Sequence, residues 1–233
     1  GGVQLFRAEV AGPVIDKMTP RVKQTAKLLW SIYIGFVLIL TFILFLEGMD
    51  LHAAFCHAFT TIATAGFSTK NASIGAFNPL IQWTIIFFMF LSGTSFTLHY
   101  ILLSNRKFEY FKDTEFKIYL GMIIAFSIIF LINIINADLY QFNFDSIRHS
   151  IFTSVTIITT TGFTTENYGE WPALSKALIF FLFFIGGCAG STTCGIKIFR
   201  VQILYLFLKN QLKKIIYPRG IFVIKYDNNK VNE

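Results

Sequence analysis

The chain has 233 residues, of which 54% are hydrophobic and 14% charged, with 28 phenylalanines and a formal net charge of +7. Globular domains in water carry about 25% charged residues, so a soluble fold is excluded and a membrane protein indicated. The positive balance calls for no nucleic acid, because the basic residues flank the apolar stretches.

Residues 1–27 read as a basic cytoplasmic linker, and no signal peptide is expected before Leu28. Leu28 to Leu46 follows as 19 residues without a formal charge, enough to cross a hydrocarbon core of about 30 Å as a helix. Three more stretches meet the same test: Pro79 to Leu103 with 25 residues, Ile118 to Ala137 with 20, and Ala177 to Ile196 with 20. Four spanning helices are therefore predicted. The division that follows is a linker 1–27, a unit 28–104, a cytoplasmic loop 105–117, a second unit 118–209 and a cytoplasmic tail 210–233.

Orientation follows from the 20 Lys and Arg. Residues 1–27, 104–117 and 197–233 hold 17 of them, and the remaining connections hold only Lys70, Arg148 and Lys176. Positive residues collect on the cytoplasmic side of spans, which places the connections 47–78 and 138–176 outside.

Those outer connections repeat one another. "AFCHAFTTIATAGFSTKN" (Ala54 to Asn71) aligns with "SIFTSVTIITTTGFTTEN" (Ser150 to Asn167), so that Thr64, Gly66, Phe67, Thr69 and Asn71 meet Thr160, Gly162, Phe163, Thr165 and Asn167 at a constant offset of 96. "LSGTSFT" (Leu91 to Thr97) likewise faces "IGGCAGST" (Ile185 to Thr192). Each unit is a span, a short apolar segment, Thr-x-Gly-Phe, and a second span. The middle segment is too short to cross, so it is expected to re-enter as a half-helix and return as extended backbone. Such backbone is tolerated at membrane depth only where protein or a water-filled cavity satisfies it.

A Thr-x-Gly turn after a half-helix can aim backbone carbonyls at an axis, glycine adopting dihedrals that other residues avoid. A ring of carbonyls replaces the water shell of a dehydrated cation, and the C-terminal end of the half-helix adds partial negative charge. Neither turn contains an acidic residue, which suits a monovalent ion such as K+. The plainer reading is that both glycines cap helices. The residues that would bind K+ are Thr64, Ala65, Gly66 and Phe67 with Thr160, Thr161, Gly162 and Phe163. No other metal site is expected: Cys56, Cys188 and Cys194 lack ligand spacing, and His52 and His57 lack an HExxH pattern.

Together with "GGVQLFRAEVAGP", "MTPR", "HAFTTIATAGFST", "SFTLHY", "TTTGFTT", "GGCAGSTTCGIKIFR" and "IIYPRGIFVIKY", these features resemble the second half of TrkH-type potassium uptake proteins, in the Trk/Ktr/HKT superfamily. The resemblance implies an all-α membrane protein built of span-pore-loop-span repeats, this chain holding the third and fourth of four. It also implies potassium uptake by ion-coupled symport across a bacterial inner membrane, a homodimer, a nucleotide-binding cytoplasmic regulatory subunit, no cofactor, and a missing N-terminal half that completes the pore. A passive K+/Na+ channel is the alternative.

For a gate the resemblance points to an intramembrane loop at Gly93, Thr94 and Ser95. Gly93 has low helix propensity and the neighbouring hydroxyls can bond their own backbone, although small residues also serve close helix packing. Lys197 and Arg200, three apart, fall on one helical face, and a straight helix from Leu174 would carry Arg200 about 39 Å along. Arg200 is either a snorkelling residue at the inner surface or an electrostatic barrier below the filter. A rival of another class, an intramembrane serine protease, would need Ser191 and His99 within hydrogen-bond reach.

Overall fold

Two long helices with apolar outer faces set the frame. In the computed structural model they are α1 (Val22–Leu46) and α5 (Thr114–Asn136), each followed by a shorter helix, α2 (Leu51–Ile62) and α6 (Phe144–Ile158). The structure describes residues 22–106, 108–216, 225–226 and 229–230, with side chains left aside at 22–25, 105, 216 and the last two pairs. Most of the basic linker and of the tail, and Lys107, lie outside the described residues, as do "GGVQLFRAEVAGP", "MTPR" and most of "IIYPRGIFVIKY".

The remaining elements are α3 (Pro79–Gly93), α4 (Phe96–Asn105), α7 (Ala173–Leu182) and α8 (Ile198–Ile216), with a strand pair β1 (Lys225–Tyr226) and β2 (Asn229–Lys230). Among the described residues the regular structure is all-helical apart from that pair. Helix starts follow capping chemistry. Asp50 accepts from His52 N at 3.1 Å and Ala53 N at 3.3 Å ahead of α2. Asn78 and Pro79 open α3, Asp113 opens α5, and Asn143 with Ser146 forms a reciprocal capping box at α6.

Burial is distributed as a membrane demands. Along α1, Ile34, Leu38, Phe42 and Phe45 are exposed while Leu40 and Leu44 are fully buried; along α5, Ile124, Ile128 and Ile132 are exposed and Tyr119, Phe130 and Ile134 buried. α1 packs on α2 as α5 packs on α6, and α3 of the first unit lies against α6 of the second. The second half-helix therefore sits against the first unit, and the first reaches the second through His57 and Phe163. At 12 and 15 residues they rise about 18 and 22 Å, short of a crossing.

Two expected spans are not single helices. Pro79–Gly93 and Phe96–Ser104 meet at 94°, so the predicted stretch Pro79 to Leu103 is broken at Thr94–Ser95. The stretch Ala177 to Ile196 is overturned as a continuous helix: α7 ends at Leu182, and 183–197 is irregular before α8 begins. Both units thus have an outer helix, a half-helix and an interrupted second helix. Among the described residues two helices, α1 and α5, are long and apolar enough to cross a membrane, or three if α3 and α4 count as one span.

Candidate functional site

Both half-helices end in the same turn. Thr64 and Gly66 have positive φ, 51° and 71°, and their counterparts Thr160 and Gly162 have 55° and 85°, with residues of ordinary φ between them. The hydrogen bonds repeat as well. Thr64 N bonds Thr61 O at 3.1 Å, and Ala65 N and Gly66 N bond Thr60 O at 2.8 and 3.4 Å; Thr160 N bonds Ile157 O at 2.9 Å, and Thr161 N and Gly162 N bond Thr156 O at 2.9 and 3.4 Å. Every partner is displaced by the same 96 residues that relate the two sequences. Alternating handedness separates amides from carbonyls onto opposite sides of a strand. Here the amides are spent on the half-helix end, and among the described residues no donor reaches the carbonyls of Thr64, Ala65, Gly66, Thr160, Thr161 or Gly162.

The turns lie against one another. A Cβ built at Gly66 would run into the carbonyl of Thr161, whereas at Gly162 it would meet nothing within 4 Å. Gly66 is thus fixed both by its dihedral and by the neighbouring strand. The phenylalanines divide the same way: Phe163 is fully buried, its ring 6.1 Å from that of His57, while Phe67 is 75% exposed. Beyond the turns, Gly75 N bonds Thr164 O at 3.0 Å and Ser73 Oγ accepts from Thr164 N at 3.2 Å, joining the units on the side where the strands leave.

Ala65 replaces the threonine found at Thr161, and the structure supplies the reason it can. Thr161 Oγ1 pairs with Thr159 Oγ1 at 2.8 Å; the first unit has Ala63 opposite Thr159, so both partners are absent together. Losing both members of a bond avoids the penalty of stranding one. Thr64 and Thr160, by contrast, keep hydroxyls that reach the interrupted segment 183–197: Thr64 Oγ1 bonds Thr192 O at 3.0 Å, and Thr160 Oγ1 accepts from Cys194 N at 2.8 Å.

That segment also closes the break in the first unit. The last carbonyls of α3 are all taken: Phe90 O by Thr94 Oγ1 and Tyr119 Oη, each at 3.1 Å, Leu91 O by Thr94 N and His99, Ser92 O by Thr192 N at 3.4 Å, and Gly93 O by Cys188 N at 2.9 Å. Phe96 N returns a bond to Gly190 O at 3.0 Å. Gly93, Thr94 and Ser95, expected to interrupt the helix, do so, and are buried against 186–195. The sequence reading gave no role to Thr192, which accepts at its carbonyl from Thr64 Oγ1 and donates its hydroxyl to Ile62 O, to Cys194, whose amide donates to Thr160 Oγ1, or to His57, whose ring touches the opposite unit.

The straight helix expected from Leu174 to Arg200 is broken, because α8 starts only at Ile198, with Lys197 O at its cap accepting from Arg200 N and Val201 N. The Lys197 ammonium folds back onto Thr193 O, with Thr193 Oγ1 at 2.8 Å and Ser191 O at 3.5 Å. Arg200 is exposed in the first turn of α8, with no acidic partner among the described residues. Two cations at a helix N-terminus oppose the helix dipole, and the Glu115 carboxylate, accepting from Phe199 N at 2.9 Å, stands at the same turn.

Ser191 and His99 do not form a dyad. Ser191 Oγ is held by Cys188 O at 2.6 Å and Thr193 Oγ1 at 2.8 Å, while His99 uses Nδ1 on Tyr110 Oη at 2.7 Å and Nε2 on Leu91 O at 2.9 Å. The three cysteines are free, and no His/Cys/Asp/Glu group suited to a metal occurs among the described residues.

A family model described as TrkH, cation transport protein, matches residues 1–233. The chain belongs to the TrkH family. TrkH-family relatives include the Trk system potassium uptake protein TrkH of Escherichia coli K12, 39% identical across the whole chain and 49% of the relative, and that of Vibrio parahaemolyticus, 38% identical over 97% of the chain and 47% of the relative. The crystal structure of the potassium transporter TrkH from Vibrio parahaemolyticus superposes with a TM-score of 0.85 at 35% identity, covering 95% of this chain and 48% of that one. The chain therefore spans about half the length of the TrkH relatives it matches. Its family is one of cation transporters and not of enzymes.

Proposed function

We propose that the paired turns are half of a potassium-selective filter, and that a polypeptide carrying this chain takes up K+ across a bacterial plasma membrane. The observation that carries this reading is the set of unpartnered carbonyls at Thr64, Ala65, Gly66, Thr160, Thr161 and Gly162, each presented by a left-handed alternation and backed by the C-terminal end of a half-helix. Carbonyl dipoles without a carboxylate favour a monovalent ion that sheds its water cheaply. Phe67 and the open face of Gly162 are where two preceding repeats would complete the ring. The names of the relatives, Trk system potassium uptake proteins, agree with this cargo.

The gate in this reading is the paired interruption, Gly93–Ser95 with 183–197, seated on the inner side of the turns. Arg200 and Lys197 place positive charge on the exit, and Arg200, exposed and without an acidic partner among the described residues, is the barrier. The transporter works as a homodimer under a nucleotide-binding cytoplasmic subunit, which would engage the basic loop 105–117 and the tail. Ion-coupled symport is the favoured mode. The deciding experiment gives vesicles containing the complete four-repeat protein an inward gradient of Na+ or of protons and follows K+ entry. Accumulation beyond the electrochemical gradient, abolished by an uncoupler or by removing Na+, supports symport; entry that stops at equilibrium makes it a passive channel, and no preference for K+ removes the filter reading.

A further inference from the structure

Glu115 is the second residue of α5, near the end of the stretch read as the basic loop, and is only 6% exposed. A buried carboxylate needs donors to offset its lost hydration. Its Oε1 accepts from Ala189 N at 2.7 Å and from Phe199 N at 2.9 Å. Those amides lie ten residues apart in the chain, one in the middle of the interrupted segment and one in the first turn of α8. Between them lie Thr192, bonded to Ile62 O at 2.8 Å and to Thr64 Oγ1, and Cys194, bonded to Thr160 Oγ1. One oxygen atom therefore draws together the two ends of the stretch that touches both turns.

We propose that Glu115 is a positioning residue, the latch that holds residues 189–199 against the turns, and that displacement of the cytoplasmic loop acts on the pore through it. The chemistry suits a latch. A carboxylate bonded to amides is stronger than a neutral acceptor, and one at a helix N-terminus gains from the dipole of α8. Phe199 N is a group that α8 cannot satisfy internally, so Glu115 caps that helix from another element. The same turn of chain reaches the other interruption: Tyr110 Oη contacts His99, which in turn holds Leu91 O beside the α3 break. Residues 110–115 thus touch both breaks from the cytoplasmic side.

The effect on flux rests on the gate reading above, but the latch itself can be tested apart from it. Cys188 is 1% exposed and adjoins Ala189, so its reactivity reports the position of the segment. In the complete protein carrying Cys56→Ala and Cys194→Ala, labelling of Cys188 by a small neutral methanethiosulfonate should quicken at least tenfold in Glu115→Ala and less than threefold in Glu115→Gln, which keeps an accepting oxygen. K+ uptake per membrane-inserted protein, without the cytoplasmic subunit, should rise in Glu115→Ala. Should Glu115→Ala fail to accumulate, Glu115→Asp, one methylene short of both amides, is read in its place with the same expectation. Unchanged labelling in the shortened variant, or equal labelling in Glu115→Gln and Glu115→Ala, overturns the latch. Faster labelling with unchanged uptake upholds the latch and removes the gate reading.

Discussion

Replacing Gly66 by alanine separates the filter reading from a helix cap more sharply than any other single change. At φ +71° a residue with a side chain pays about 1–3 kcal/mol of backbone strain. The new methyl group also points into the Thr161 carbonyl, a backbone atom held by its own half-helix, so relief requires moving one turn against the other. Overpacking of that kind adds about 1–3 kcal/mol. If only about 1.4 kcal/mol of the total falls on the bound K+ and not on Na+, the selectivity ratio drops about tenfold. The assay is the K+ to Na+ uptake ratio of the complete protein in vesicles, with thermal unfolding in detergent as a second reading. Gly35 in α1 has open space at its Cβ and an ordinary φ, so Gly35→Ala should leave the ratio unchanged and stabilise the helix by about 0.5–1 kcal/mol. A wild-type ratio in Gly66→Ala, with the protein folded, refutes the reasoning: Gly66 would then be a cap and nothing more.

Arg200→Gln, which keeps a polar side chain but deletes the charge, is expected to raise K+ flux in the absence of the cytoplasmic subunit; flux per inserted protein equal to wild type assigns Arg200 to the headgroups. Tyr110→Phe strands His99 Nδ1 and should lower unfolding stability by about 1–3 kcal/mol, seen as an earlier melting transition. Burial pushes the Tyr110 phenol up to about 12 from 10. The folded protein therefore binds the extra proton between those values, and this group's contribution should hold up to about pH 10 and fall from there to about pH 12; a loss beginning below pH 9 would contradict it. Arg148→Met removes the donor to Gln82 Oε1 at 2.8 Å and the pair with Asp145 at 2.6 Å; with Asp145 largely in water, a cost of about 1–3 kcal/mol is expected, and an unchanged melting point would show that the bridge from α6 to α3 carries no weight.

Periodicity and spacing were enough for the parts of the fold that are local. α1 and α5 follow from uncharged runs, the half-helices from short apolar segments, and the turns from a repeat whose offset reappears in the hydrogen bonds of Thr64 to Gly66 and Thr160 to Gly162. The break at Gly93–Ser95 was legible because low helix propensity and hydroxyl side chains coincide there. The break at 183–197 carries the same signal in Gly186, Gly187 and Gly190 with Ser191, Thr192 and Thr193, but the stretch was read as one uncharged span, since "FFIGGCAG" is as apolar as the helix before it. Its path is held by distant partners, Glu115, Ser92 and Gly93, that no local count can see. Arg148 was counted as an outer basic residue, and its burial against Gln82 was not foreseen. Glu115 itself looks in sequence like an ordinary acidic first-turn residue; its role depends on amides 74 and 84 residues away.

The missing hydroxyl pair at Ala63 and Ala65 has a consequence for how such a structure can change over time. Because the two turns are written at separate places in one gene, a substitution alters one wall and leaves the other as it was. A symmetric assembly of identical subunits has no such freedom, since every change is copied to all sides at once. The second unit has Thr159 and Thr161 bonded to each other, while the first has Ala63 and Ala65 on the same backbone path. Drift in paired steps, each step confined to one wall, leaves the carbonyl geometry in place while the scaffolding behind it diverges, and the two halves of this chain are already unequal in that respect.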